Sequence, residues 1–174
     1  MPGPDFETVV ASYYEPLYRF AISLTHSETD ACDLAQHTFY MWATKGHQLR
    51  DQSKAKSWLF TTLYRAFLES RRNLTRFPQA ELTEVEAALP VIHPEAARQL
   101  DAMQAVEALG RVDEIYRAPV ALFYLEDCSY QEIADVLEVP IGTVKSRLAR
   151  GLAQLKHIFT GTNPARNQRG GQHE

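Results

Sequence analysis

The residues best suited to recognition chemistry lie in residues 141–156, which hold four basic side chains and no acid. On a helix, hydroxyl groups and one arginine would share a stripe there, with further cations on both flanks. Such groups can donate hydrogen bonds to base edges in a DNA major groove, whereas flanking cations meet phosphates. The pattern therefore predicts a DNA-contacting helix whose contact residues are Thr143, Lys145, Ser146, Arg147 and Arg150.

A second helix and a turn must position this stripe. Apolar residues at Ile133, Ala134 and Leu137 predict a short helix over residues 130–137, and "EVP" predicts a tight turn. Pro140 suits the first position of the following helix, because the N–H that proline lacks is not needed there. Two helices joined in this way form a helix-turn-helix. The face that must pack carries Val144, Leu148, Gly151, Leu152 and Leu155. A solvated amphipathic helix in an ordinary bundle is the alternative interpretation.

Apolar spacings of three and four predict helices through most of the remaining chain. The first helix has an apolar face from Phe6 to Leu24, and the second opens at Ser27, where Asp30 three residues on resembles a capping box. "KGHQLRDQSK" predicts a loop, and a third helix follows over residues 55–73. Helical periodicity resumes at Leu100 and continues to Leu125. The predicted fold class is all-α, with two small helical domains.

The composition of the remaining segments defines the predicted boundaries. Residues 1–76 form the N-terminal domain, and residues 77–105, which are acidic and contain three prolines, form a flexible linker. Residues 106–160 form the C-terminal helix-turn-helix domain. The polar, glycine-rich residues 161–174 are predicted to be disordered.

Charge and motif content limit the function classes. The net charge is -4, but residues 54–76 hold six basic side chains and one acid, so a DNA partner remains compatible with the total. No GxxxxGK, GxGxxG, HExxH or CxxC motif is present, the six histidines are scattered, and the two cysteines have no metal-ligand spacing. An enzyme is therefore the weakest hypothesis, and no cofactor or metal is predicted. No segment predicts membrane insertion, and a cytoplasmic location is expected.

Three stretches together resemble one family. "SYQEIADVLEVPIGTVKSRLARGLAQLK" is similar to the C-terminal DNA-binding domain of the extracytoplasmic-function (ECF) group of bacterial sigma-70 factors. "DACDLAQHTFYMWATK" and "SWLFTTLYRAFLESRRN" resemble the N-terminal domain of that group, in the same order. The resemblance implies a non-enzymatic subunit that binds core RNA polymerase, melts the −10 promoter element and reads the −35 element. It also implies an anti-sigma factor as a partner.

The resemblance assigns residues to each role. The RNA polymerase contact falls on Asp30, Asp33, Leu34, Gln36, Phe39 and Trp42. The −10 element contact falls on His47, Gln48, Leu49, Arg50, Asp51, Lys54, Lys56, Trp58, Thr61, Thr62, Arg65, Arg71 and Arg72. The −35 element contact falls on the helix described first. Core packing is the competing explanation for Leu34, Phe39, Trp42 and Trp58.

Several positions depart from the family pattern. Cys32 and His37 stand at usually acidic positions, Arg65 stands where asparagine is frequent, and Glu69 replaces a common aspartate. Glu138 stands where glycine is frequent in the turn, so a left-handed backbone there would cost about 1 kcal/mol. A stand-alone transcription regulator with the same helix-turn-helix is the alternative function. Such a regulator should bind promoter duplex tightly without polymerase.

Overall fold

The computed structural model describes residues 5–76 and 96–161 of the 174-residue chain. Its regular structure is helical, and these ranges contain no strand, which confirms the predicted all-α class. The seven α-helices are α1 (Phe6–Thr25), α2 (Glu28–Lys45), α3 (Ala55–Arg76), α4 (Ala96–Leu109), α5 (Glu114–Tyr124), α6 (Tyr130–Leu137) and α7 (Ile141–Thr160). Two short 3₁₀ turns, Gly46–Gln48 and Gln52–Lys54, connect α2 to α3.

Side-chain caps define the starts of the first two helices. The Asp5 carboxylate accepts a hydrogen bond from the backbone N–H of Thr8 at 2.9 Å and caps α1. Ser27 accepts from the backbone N–H of Asp30 at 3.3 Å and caps α2, as the sequence predicted. Such a cap satisfies one of the N–H groups that the first turn of a helix leaves without a partner.

The N-terminal unit, α1 to α3 with its connecting turns, packs around aromatic and aliphatic side chains. Leu17, Phe20, Leu59, Phe60 and Leu63 are fully buried, and the ring centroids of Phe20 and Phe60 are 5.4 Å apart. Each such side chain stabilises the fold by about 1.5–3 kcal/mol relative to its exposure to water. The three helices therefore hold the connecting turns at one end of a well-packed core.

The C-terminal unit, α4 to α7, depends on a close crossing of α5 and α7. Gly151 of α7 lies against α5, and a Cβ atom at this position would come within 2.4 Å of Val120 Cγ2 and 2.9 Å of Tyr116 Cβ. Asp113 and Gln154 join the start of α5 to α7 through a hydrogen bond of 2.8 Å between their side chains. The crossing fixes the orientation of α7 relative to the rest of the unit.

The structure corrects two details of the predicted helices. α4 begins at Ala96, inside the residues 77–105 that the sequence assigned to a linker. The periodicity from Leu100 to Leu125 is also interrupted, because a turn at residues 110–113 separates α4 from α5. The Arg117 side chain donates to the carbonyl oxygens of Gly110 and Val112 at 3.0 Å and 2.9 Å and stabilises this turn. Residues 77–95 and the predicted disordered tail beyond Gly161 lie outside the described residues.

The N-terminal and C-terminal units pack directly against each other. α1 contacts α5, and α3 contacts α6. Buried residues of both units belong to one hydrophobic cluster, in which Leu63 of α3 and Ile133 of α6 are both fully buried. The face of α3 that carries several predicted −10 contacts thus lies beside the helix-turn-helix.

Candidate nucleic-acid interface

The helix-turn-helix begins with a complete capping box on α6. Ser129 Oγ accepts from the Glu132 N–H at 3.2 Å, and the Glu132 carboxylate accepts from the Ser129 N–H at 2.6 Å. These hydrogen bonds hold the pKa of Glu132 below its usual value. Sequence reasoning missed the box, although S-x-x-E ahead of an apolar pattern is its ordinary signature.

The turn between α6 and α7 is left-handed at Glu138, with φ 56° and ψ 44°. This conformation brings a non-glycine side chain close to its own backbone and costs about 1 kcal/mol or more. Pro140 directly precedes α7, one position earlier than predicted, and its carbonyl accepts from the Thr143 N–H at 2.9 Å. The predicted tight turn is therefore present, and Glu138 adopts the left-handed backbone conformation in it.

α7 presents two chemically different faces. Val144, Leu148, Gly151 and Leu155 are buried, and Leu152 is half-buried, as the sequence predicted. Lys145, Ser146 and Arg150 are exposed, and Thr143 and Arg147 are half-buried. The five predicted −35 contacts therefore occupy the sides of α7 that do not pack into the core. This stripe of hydroxyl groups and cations is suited to a major groove.

The connecting turns between α2 and α3 carry the predicted base-capture residues. His47, Gln48, Arg50 and Asp51 are exposed, whereas Leu49 is half-buried and packs on the core. Asp51 accepts hydrogen bonds from Ser53 N and Ser53 Oγ at 3.0 Å and 2.6 Å, and these bonds lower its pKa. Asp51 therefore shapes the loop whether or not it also contacts a base.

Glycine is needed where this loop leaves α2. A Cβ atom at Gly46 would lie 2.7 Å from the Trp42 ring. The Trp42 ring also meets the Trp58 ring edge-on, with centroids 5.3 Å apart. Trp58 is half-buried, so it is partly a packing residue, and Trp42 lies in the core. The aromatic pair supports the loop from beneath.

The remaining predicted −10 residues lie along α3 and just before it. Lys54, Arg65, Arg71 and Arg72 are exposed, and Lys56, Thr61 and Thr62 are half-buried. Thr62 Oγ1 donates within its own helix to the Trp58 carbonyl at 2.8 Å. Five cations of the predicted −10 set therefore lie on α3 or in the turn directly before it: Lys54, Lys56, Arg65, Arg71 and Arg72.

On α2, the predicted polymerase contacts separate into two groups. Asp30 and Asp33 are exposed and Gln36 is half-buried, but Leu34, Phe39 and Trp42 are only 8%, 6% and 6% exposed. The latter three residues belong to the core, which was the competing explanation. Tyr40 is 65% exposed and lies seven residues after Asp33, hence on the same face. Sequence reasoning missed Tyr40, although the spacing of seven was available.

Charged contacts between the two units form what we call the charged seam. It comprises Arg19, Lys56, Arg65 and Arg71 in the N-terminal unit, and Glu114, Glu126 and Glu138 in the C-terminal unit. Arg19 binds the Glu126 carboxylate through two hydrogen bonds of 2.8 Å and 3.1 Å, and Lys56 Nζ donates to the Glu126 carbonyl at 2.9 Å. Arg65 pairs with Glu138, and Arg71 pairs with Glu114 at 2.6 Å.

Glu126 is the buried member of the charged seam. Its side chain is 4% exposed, and burial raises its pKa to about 7 although Arg19 and Lys56 act in the opposite direction. Tyr64 of α3 is half-buried, and burial raises its pKa while Arg147 of α7 acts to lower it. The cationic flank of α7 therefore also lies close to α3.

Two family models match the chain in separate segments. The description "Sigma-70 region 2" matches residues 9–77, and "Sigma-70, region 4" matches residues 102–155. A relative, the ECF RNA polymerase sigma factor SigM of Bacillus subtilis, is 26% identical over 158 residues that cover 88% of this chain and 94% of the relative. The chain belongs to the ECF group of the sigma-70 family. The matches support promoter-directed transcription initiation and do not favour the stand-alone regulator.

A further relative and two solved structures are also similar to this chain. The ECF RNA polymerase sigma factor SigE of Mycolicibacterium smegmatis is 29% identical over 157 residues, which cover 88% of this chain but only 61% of that relative. Among solved structures, the sigma factor RpoE of Bartonella quintana, in complex with the anti-sigma factor NepR, has a TM-score of 0.72 and 28% identity. That match covers 91% of this chain and 99% of RpoE. CnrH, in complex with the cytosolic domain of CnrY, has a TM-score of 0.62 at 24% identity, which supports the fold alone.

The described ranges contain neither a metal-binding cluster nor a membrane-spanning helix. Within residues 5–76 and 96–161, no group of three or more histidine, cysteine, aspartate or glutamate side chains could hold a metal ion. In the same part of the chain, no helix has both the length and the apolarity required to cross a membrane.

Proposed function

We propose that this sigma factor binds core RNA polymerase through α2 and directs initiation by reading the −35 element with α7 and melting the −10 element with α3. The observation that carries the proposal is the exposed stripe of hydroxyl groups and cations on α7. It lies opposite a buried apolar face, within the segment that the region 4 model matches. A groove-reading helix needs this combination of a firmly packed back and a slim polar front.

The charge distribution supports different binding partners for different helices. The exposed carboxylates of Asp30 and Asp33 on α2 suit a protein partner, whereas the cations of α3 suit a phosphate backbone. The exposed loop residues His47, Gln48 and Arg50 precede α3, where a base leaving the duplex could be held by hydrogen bonds and stacking. DNA thus meets α3 and α7, and the polymerase meets α2.

We also propose the remaining attributes of this factor. Its relatives are sigma factors, which are not enzymes, and we extend the absence of catalysis to this chain. A cytoplasmic location follows from the proposed work on polymerase and DNA. An anti-sigma factor is a proposed partner, because the similar RpoE of Bartonella quintana was solved with one.

The test of the polymerase assignment is Asp33→Arg. Because Asp33 is exposed, its replacement leaves the core packing intact, but it reverses the charge at the proposed contact. We expect core RNA polymerase to lose the variant in co-purification and promoter-specific transcripts to disappear, with unchanged helical content by circular dichroism. Glu107→Arg, an exposed acid on α4, is the matched control and should bind as the wild type does. Recovery of the Asp33→Arg variant with polymerase at wild-type levels would refute the assignment.

A further inference from the structure

Tyr40 of α2 is the most exposed of the eight tyrosines of the chain, at 65%. Within the described part of the chain, its side chain makes no hydrogen bond, ion pair or ring contact, and it does not pack on the hydrophobic core. Four other tyrosines pack against an aromatic ring: Tyr14, Tyr18, Tyr64 and Tyr130. The fold therefore gives the Tyr40 ring no partner of its own.

Helix stability does not account for Tyr40 either. At an exposed helix position, tyrosine has a lower helix propensity than alanine, leucine, lysine or glutamate. Side chains three and four positions away can stabilise a helix by packing on a ring. The residues at those distances from Tyr40 are Gln36, His37, Ala43 and Thr44, and none of them is a large apolar residue. An aromatic side chain at this position is thus explained by a partner outside the chain.

Tyr40 points away from the core of the N-terminal unit. In an α-helix of 3.6 residues per turn, the buried residues Ala31 and Trp42 lie about 180° and about 160° from Tyr40 around the axis of α2. Asp33 lies only about 20° from Tyr40 and about 10 Å from it along the axis. The Asp33 carboxylate and the Tyr40 ring can therefore contact the same partner surface at the same time.

The outer face of α2 has an acidic end and an apolar end. Its first two turns carry Glu28, Asp30 and Asp33, and no lysine or arginine precedes the last residue of the helix. At the other end, the exposed Thr44 donates its hydroxyl to the Tyr40 carbonyl oxygen at 3.0 Å. Because the helix itself satisfies this hydroxyl, the Thr44 methyl group adds to the apolar surface beside the Tyr40 ring.

We infer that Tyr40 is the apolar anchor of the contact with core RNA polymerase, and that its ring fills an apolar depression of the polymerase about 10 Å from the cations that face Asp33. This inference rests on the proposed function, which assigns α2 to the polymerase. The ring lies within the residues 9–77 that the region 2 model matches, on a face continuous with the proposed Asp33 contact. An acidic face suits neither a second copy of itself nor an anionic membrane, because like charges repel.

The two parts of this face contribute to binding in different ways. A tyrosine ring at the centre of an interface loses its contact with water, and such residues often supply a large share of the binding free energy. An ion pair made by the exposed Asp33 carboxylate is screened by salt. The contribution of the ring is not screened, so salt distinguishes the two.

The first experiment measures the Kd of the fluorescently labelled full chain for core RNA polymerase by anisotropy. We expect Tyr40→Ala to bind about 10- to 30-fold more weakly, with helical content unchanged by circular dichroism. The matched control is Tyr124→Ala, which removes a tyrosine that is 60% exposed at the end of α5. The control should bind within about twofold of the wild type, since surface changes away from an anchor have small effects. Equal Kd values for the two variants would overturn the inference.

Tyr40→Phe tests whether the ring or the hydroxyl group makes the contact. The ring and nearly all of the apolar surface remain in this variant, so we expect a Kd within about threefold of the wild type. If Tyr40→Phe binds as weakly as Tyr40→Ala, the hydroxyl group makes the contact and the apolar anchor is wrong.

The same titrations at about 0.1 M and about 0.5 M salt separate the apolar anchor from an ionic effect. The fold loss of Tyr40→Ala should be the same at both concentrations, whereas the fold loss of Asp33→Asn should shrink at the higher one. A parallel decrease for both variants would show that Tyr40 acts only by supporting the charged contact, and the inference would fail.

The Asp33→Arg variant separates this inference from the proposed function. If Asp33→Arg loses the polymerase but Tyr40→Ala binds as the wild type does, the anchor is wrong and the proposed function stands. If neither substitution weakens binding, the assignment of α2 to the polymerase fails as well. A wild-type dimer in sedimentation that Tyr40→Ala dissociates, with polymerase binding unchanged, would assign the ring to self-association and would also overturn the inference.

Discussion

At the scale of single residues, Arg150 and Lys145 of α7 test how the helix meets DNA. Both side chains are exposed, but Arg150 shares a stripe with Thr143 and Ser146, whereas Lys145 lies on the flank. An arginine in that stripe can donate two hydrogen bonds to guanine O6 and N7. A flanking lysine meets a phosphate, which carries no sequence information.

We therefore expect different losses from the two alanine variants. Arg150→Ala should cost about 1–3 kcal/mol and relax the preference at one −35 position. Lys145→Ala should weaken all promoters alike and reduce the salt dependence by about one phosphate contact. The measurement is transcription from a set of −35 variants at two salt concentrations. Identical, sequence-independent losses would show that Arg150 only binds the backbone.

Arg65 and Glu138, two residues that depart from the family pattern, are explained by their contact with each other. Each departs from the family pattern that the sequence resembles, and in the structure they bind each other across the two units. The left-handed backbone that the sequence made conditional at Glu138 is present. The two residues that depart from the family pattern therefore form one ion pair with each other.

At the scale of elements, the crossing of α5 and α7 decides how the recognition helix is held. Gly151→Ala adds a Cβ atom that would lie 2.4 Å from Val120 Cγ2 and 2.9 Å from Tyr116 Cβ, so α7 must shift. Gly142→Ala is the matched control in the same helix, because nothing lies within 4 Å of its added Cβ atom. Both variants gain helix propensity, so their difference isolates the packing effect.

We expect the free energy of unfolding of Gly151→Ala to lie about 1–3 kcal/mol below that of Gly142→Ala. Denaturant titrations of both variants provide the measurement. Equal free energies of unfolding would mean that α5 and α7 have room to separate, and that the close crossing does not hold α7.

At the scale of the whole molecule, Glu126 makes the stability depend on pH. It faces Arg19 of α1 and Lys56 of α3, with Asp127 and Cys128 beside it in its own loop. Burial raises its pKa from 4.5 to about 7. The folded chain therefore takes up a proton near neutral pH that the unfolded chain does not. The resulting stability is fully present below pH 4.5 and is lost as the pH rises through 7.

The prediction compares the wild type with Glu126→Gln, which cannot titrate at this position. Between pH 6 and pH 8, the free energy of unfolding of the wild type should fall by about 1.4 kcal/mol more than that of the variant. The two proteins differ at residue 126 alone, so the contributions of all other groups cancel in the difference. Equal pH dependence would mean that Glu126 keeps an ordinary pKa and that its burial is less complete.

The sequence by itself determined the elements and the chemical faces of α7. Periodicity of apolar residues is a local property, so the first three helices, the helix-turn-helix and the buried side of Val144, Leu148 and Leu155 were all predicted. The Ser27 cap was predicted for the same reason. The start of α4 was placed too late, because the acidic, proline-containing stretch before it hides the boundary.

Only the tertiary structure decided which predicted contacts are available. Leu34, Phe39 and Trp42 share α2 with Asp33, and periodicity alone left open whether they face the core or a partner; packing against α1 and α3 buries them. The charged seam has no local signature at all, because Arg19 and Glu126 are 107 residues apart and meet only when α1 packs against α5. A sequence pattern reports the neighbours along one helix, whereas burial and ion pairing depend on which helices meet.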